Sequence, residues 1–192
     1  QEFSSSEKEQ IISIENSILK VDFNTKGAKI TNVILNDYYD SKNKNVELLN
    51  DSGNINFKID GSDNLNLDNI IFFNTTSRSD EKNTITFNAI SENGKKITVQ
   101  YILKNDSYLI ESKILLNDYF LGNESILLTW VNILKHQENN STNEKNQTRI
   151  NFFNADGDFD YTSATSTDKE EIKIEEKLKW ISNKQQFFSS AI

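Results

Sequence analysis

Along most of the chain, apolar and polar residues alternate with a period of two, the pattern of strands that bury one face. From Ser17 to Asn24, Leu19, Val21 and Phe23 fall on one side, opposite Ile18, Lys20, Asp22 and Asn24. Thr25-Lys26-Gly27-Ala28 then supplies a turn, with Gly27 free to take positive φ, and residues 29–35 read as the returning strand. Residues 84–90 and 97–104, joined through Glu92-Asn93-Gly94-Lys95, give a second hairpin in which both Asn93 and Gly94 are expected at positive φ. Asn105-Asp106 turns the chain into 108–116, which completes a meander. Residues 125–135 are apolar on both faces, so the segment is predicted to be a central strand covered on both sides, with Trp130 in the core. Residues 150–153 and 159–162 flank Ala155-Asp156-Gly157-Asp158 as a further hairpin. Residues 36–44, 60–69 and the almost wholly polar 137–148 are predicted as loops. Ten or more strands separated by short turns predict a large antiparallel sandwich. The C-terminus breaks the pattern. Ser182-Asn183-Lys184-Gln185 has the form of a capping box, and Phe187, Phe188, Ala191 and Ile192 share one side of a helix. A short amphipathic helix is therefore predicted from Ser182.

A length of 192 residues suits one all-β domain. Residues 1–10, opening Gln1-Glu2-Phe3-Ser4-Ser5-Ser6, read as a linker or cloning-junction remnant, 11–181 as the sandwich, and 182–192 as the start of the helix. With 29 acidic against 21 basic side chains, a net charge of −8 argues against a nucleic-acid partner, which needs clustered cations to displace counterions. The same charge confines any contact with an anionic membrane to a local patch. No run of 18 apolar residues exists to span a bilayer.

The candidate chemistry is sparse. Without cysteine there is no disulfide and no thiolate nucleophile or metal ligand, and His136, the single histidine, cannot build a two-histidine metal site. It reads as a surface or strand-edge residue. Asp156-Gly157-Asp158-Phe159-Asp160 opens like a calcium loop but lacks the glycine at position six and the glutamate at position twelve, so it reads as a turn. With 27 asparagines, matches to the N-glycosylation pattern such as Asn140-Ser141-Thr142 carry no weight. No catalytic, cofactor-binding or metal-binding residue is assigned, and no cofactor is expected. Trp180, Phe187 and Phe188 surround the predicted strand-to-helix junction, where they either pack inward or form a membrane-interface or inter-domain contact together with Ile192.

The C-terminal string from Leu178 to Ile192, with Trp180 followed by Lys184-Gln185-Gln186-Phe187-Phe188-Ser189-Ser190, resembles the point where the periplasmic domain of the bacterial membrane insertase YidC re-enters the inner membrane. Residues 14–28 resemble that domain's opening hairpin, with Ala28 where the family usually has a second glycine; residues 101–108 and 128–138 are similar to its central turn and late strand. The resemblance implies a β-supersandwich like that of galactose mutarotases, with a short C-terminal helix leading to an insertase membrane core. It also implies a non-catalytic role on the periplasmic face of the inner membrane, with Sec translocon components and nascent membrane proteins as partners. Sugar epimerisation in the enzymatic relatives of that fold uses two histidines and a carboxylate, a set that His136 alone cannot supply. A carbohydrate-binding or mutarotase-like sandwich is the alternative reading.

Overall fold

The alternating segments fold as strands. The computed structural model describes residues 3, 7–61, 64–117, 120, 122–165, 169 and 171–192. Among them lie β1 (Ile11–Glu15), β2 (Leu19–Asn24), β3 (Lys29–Tyr39), β4 (Asn45–Leu49), β5 (Asn54–Asp60), β6 (Leu65–Asn66), β7 (Phe73–Arg78), β8 (Lys82–Ile90), β9 (Lys96–Lys104), β10 (Ile110–Leu116) and β11 (Ser125–Val131). They are followed by the helix α1 (Ser141–Gln147) and by β12 (Arg149–Asn154), β13 (Phe159–Ser163), β14 (Leu178–Lys184) and β15 (Ser189–Ala191). The architecture is all-β and antiparallel. The chain divides into two compact units, one comprising Gln1–Tyr38 and Leu49–Leu134, the other Tyr39–Leu48 and Lys135–Ile192.

The first unit is a two-sheet sandwich. One sheet runs β1-β2-β3-β5-β11 and the other β10-β9-β8-β7. Leu19, Val21 and Phe23 are buried as the alternation requires, and the Phe23 ring lies 4.7 Å from that of Tyr101 and 6.0 Å from that of Phe87, both on the opposite sheet. All three rings are inaccessible to water, and each contributes about 1.5–3 kcal/mol by leaving it. The Tyr101 hydroxyl donates to the carbonyl of Ala28 at 2.8 Å, so the buried phenol has its partner. Burial pushes its pKa well above the ordinary tyrosine range, because a phenolate there would lose its hydration.

Both predicted hairpins of this unit form. Gly27 and Ala28 stand at φ 87° and 49° between β2 and β3. Between β8 and β9 only Gly94 has positive φ (87°), not Asn93 as expected. The Ser91 N–H donates to the Lys95 carbonyl and the Gly94 N–H to the Ser91 carbonyl, so three residues close the loop instead of two. That geometry needs one left-handed residue, not a pair. The predicted loops are also more ordered than their polarity suggests. β3 runs on through Tyr39, and within 60–69 the strand β6 precedes a 3-10 turn, Leu67–Asn69, capped by the Asn66 side chain and burying Leu67.

The strand expected at the centre lies at an edge. β11 pairs with β5 alone among the described strands, and Ile126, Leu127, Leu128 and Val131 are 42–45% exposed, with Trp130 half-buried and not in the core. Apolar residues on two faces predict cover on both sides only if other elements supply it, and the described elements cover these side chains only in part.

The second unit contains the sheet β13-β12-β14-β15. Here the predicted C-terminal helix is overturned: residues 178–191 form the β14–β15 hairpin. Ser182 caps nothing. It is buried in β14 opposite Asn151 of β12, whose amide donates to its hydroxyl at 3.2 Å. A local capping pattern loses here to a strand that finds partners on both sides, since tertiary pairing outweighs intrinsic preference. The one α-helix among the described residues lies in the segment predicted to be an exposed loop: Asn140 caps α1 by accepting from the Asn143 N–H at 2.9 Å.

Candidate functional site

The β12–β13 hairpin around the Asp-Gly turn sets Phe153 opposite Phe159, and the pairing of β12 with β14 sets Phe153 opposite Trp180. Side chains at paired positions point to the same face of a sheet, so three aromatics stand abreast across three strands. Phe153 stacks on Trp180 at a centroid distance of 5.8 Å with 20° between planes, and Phe159 meets Trp180 at 6.1 Å. Tyr161, two residues along β13, adds a fourth ring 6.5 Å from Phe159. Two cations border the row. The Arg149 guanidinium lies 4.4 Å over Tyr161, and the Lys179 ammonium 4.9 Å over Phe153. Phe159 and Tyr161 are exposed and Phe153 and Trp180 half-buried, so the rings present a surface and do not fill a core.

A buried carboxylate braces the same unit. Glu144, on α1, is almost wholly buried; its Oε1 accepts from the Gln137 N–H at 2.9 Å and from the Gln185 side-chain amide at 3.2 Å. Its Oε2 lies 3.0 Å from His136 Nδ1. The Gln185 amide also donates to the Lys135 carbonyl at 2.8 Å. Gln185, the residue that suggested a capping box, instead ties the β14–β15 turn to the segment before α1. His136 is largely exposed, as expected of a surface residue, though its ring nitrogen engages this carboxylate.

Of the residues singled out in the sequence, only Trp180 joins the aromatic row. Phe187 sits on the turn between β14 and β15, 68% exposed, Phe188 beside it is half-buried, and Ile192 is 43% exposed after β15. They share no helical face, because there is no helix there. Phe153, Phe159, Tyr161, Arg149 and Lys179 escaped the sequence reading. The signal that finds them is the predicted hairpin itself: counting back from Asp156-Gly157 pairs Phe153 with Phe159.

The model of the YidC periplasmic domain family matches residues 11–192. The chain belongs to that family. Among curated proteins, the membrane protein insertase YidC of Phocaeicola vulgatus is 28% identical over 190 residues, covering 96% of this chain and 30% of the relative. Those of Amoebophilus asiaticus and Cytophaga hutchinsonii are 27% and 26% identical, over 94% and 92% of this chain and 32% and 29% of theirs. The chain thus spans about a third of the length of the curated relatives it matches. In this chain the Gln185-Gln186-Phe187-Phe188 run, which follows Lys184 at the end of β14, forms the turn of the last hairpin. Ala28, where a second glycine was expected, holds a left-handed conformation that glycine takes without strain. No described helix is long and apolar enough to cross a membrane.

Proposed function

We propose that this chain is the non-catalytic periplasmic domain of a YidC-type insertase, held at the periplasmic face of the bacterial inner membrane. There it supports membrane-protein insertion and folding through contacts with Sec translocon components or client chains. The match across residues 11–192 carries this reading. The last hairpin is the part that meets the insertase's own membrane core or the membrane surface: Phe187 is exposed at its turn, Ile192 at its end, and Trp180 lies in a row bordered by Arg149 and Lys179. Aromatic rings beside cations suit the headgroup region, where an amphipathic ring meets anionic lipid. Co-sedimentation with vesicles of phosphatidylethanolamine and phosphatidylglycerol tests the contact. Phe187→Ala should at least halve the bound fraction, and absence of binding by the unmodified chain at every salt concentration would remove the membrane-surface role.

The aromatic row also supports the carbohydrate-binding reading, since the exposed rings of Phe159 and Tyr161 can stack on sugar faces. A ligand at a hundredfold excess over its Kd stabilises a protein by about 2.7 kcal/mol. A sugar panel that raises Tm by several degrees, with loss of the shift in Phe159→Ala, would favour that alternative over the insertase role.

A further inference from the structure

We infer that the free edge of β11 is a strand-addition site for an extended, uncharged apolar segment of another chain, one that carries a basic residue at its C-terminal end. The inference rests on the reading above in taking the partner to be a client-like chain. Residues 125–133 hold no charge, no proline and no glycine, in a chain of net charge −8. β11 pairs with β5 in unbroken register from Ser125↔Asp60 to Val131↔Asn54 and with no other described strand. Alternate backbone N–H and C=O groups therefore point away from β5 with no described strand to receive them.

Natural sheet edges are blunted by charges, bulges or brevity. The other described strands that pair on one side only obey this: β1 carries Glu15, β4 Glu47, β7 Arg78, β10 Glu111 and Lys113, β13 Asp160, β6 is two residues long and β15 three. β11 alone of these eight described strands has none of these devices, and it exposes Ile126 and Leu128 on one face and Leu127 and Val131 on the other. An added strand would gain backbone hydrogen bonds along the edge and apolar neighbours above and below it. The described pairs of this sheet are antiparallel, so an added strand follows the same sense, and the charge of the ends then places its cation. Asp60 lies opposite Ser125, and Glu124 precedes it, so the start of β11 is acidic. A strand added antiparallel brings its C-terminal end there, where a lysine or arginine meets two carboxylates. A second copy of the chain is the weaker candidate, because it brings eight further net negative charges to the pairing and no basic residue within the strand.

The absence of cysteine makes the test direct. Thr129→Cys places one thiol on the exposed edge, and heptapeptides of alternating apolar and small polar residues with a C-terminal lysine carry one cysteine at successive positions. Disulfide formation should occur at every second peptide position, and fluorescence anisotropy should show at least tenfold weaker binding to Leu128→Lys, whose circular dichroism is unchanged. Moving the lysine to the N-terminus should weaken binding severalfold. Cross-linking without alternation, equal binding by Leu128→Lys, or sedimentation as a dimer that Leu128→Lys dissolves would each overturn the proposal. None of these outcomes bears on the family assignment or on the Phe187 vesicle test.

Discussion

The two units of this chain are held together by different means. In the first, Phe23, Phe87 and Tyr101 leave water completely between two sheets, and apolar burial supplies the stability. In the second, the largest rings lie at least partly in solvent, and a nearly inaccessible carboxylate gathers its neighbours by hydrogen bonds. A hydrophobic core loses stability in proportion to volume removed, whereas a buried polar centre depends on every partner being present, because an orphaned donor costs more than a bond gains. The first unit should therefore yield gradually to conservative core changes and the second abruptly to one polar deletion.

The largest effect tests the core. Phe23→Ala should destabilise the first unit by about 3–5 kcal/mol in urea unfolding, through lost transfer energy and the cavity left behind. Glu144→Ala should cost the second unit about 2–3 kcal/mol, since it leaves the Gln137 N–H without its acceptor and the Gln185 amide with the Lys135 carbonyl alone. Hydrogen exchange separates the two: Glu144→Ala should release protection in residues 137–148 and 178–191 and leave 82–104 unchanged. Equal loss of protection in both regions would show that the units are stabilised as one.

The same contrast explains what could be read in advance. Leu19, Val21 and Phe23 announce their burial through a period of two that needs no knowledge of distant residues, and Gly27 and Gly94 announce their turns through conformational freedom. Glu144 gives no such sign: its burial depends on Gln137 and Gln185, and the latter is 41 residues away in sequence. Ser182 and Gln185 gave a sound local signal for a helix, but pairing of Asn151 with Ser182, 31 residues apart, decided otherwise. β11 was misplaced for the converse reason. Apolar residues on both faces predict cover within the chain, and the structure leaves Ile126, Leu127, Leu128 and Val131 more than two-fifths exposed. Of the candidate site, Trp180 was legible as an isolated large aromatic, while its neighbours became a row only through strand register.

Alkali should single out the first unit. The Tyr101 pKa is raised in the folded state, so between the ordinary value of 10.0 and the folded one the unfolded chain has lost the proton that the folded chain keeps. Stability is unaffected by this group below pH 10 and falls above it, by at most about 1.4 kcal/mol per pH unit. Tyr101→Phe should flatten that slope while costing about 1 kcal/mol near neutrality, where the Ala28 carbonyl loses its donor. Urea titrations at several alkaline pH values would show it. An unchanged slope in Tyr101→Phe would mean that other groups govern the alkaline limit. Ala28→Gly works in the opposite direction: relief of the left-handed strain at φ 49° should outweigh the extra freedom of the unfolded chain and stabilise the unit by about 0.5 kcal/mol.

The smallest effect is the most telling for the second unit. Phe187 is 68% exposed on the β14–β15 turn, so its ring contributes little to folding, and Phe187→Ala should change the stability of this chain by less than about 0.5 kcal/mol. Phe188, half-buried beside it, should cost more when cut to alanine, because part of its surface already lies against protein. The order of the two substitutions is the test. If Phe187→Ala proves the more damaging in thermal unfolding, the ring is held against the domain, and the outward surface of the second unit shrinks to Ile192 and the aromatic row. If Phe187→Ala is silent here yet lowers function in the full-length insertase, the exposed ring is one that folding does not use and the membrane side does.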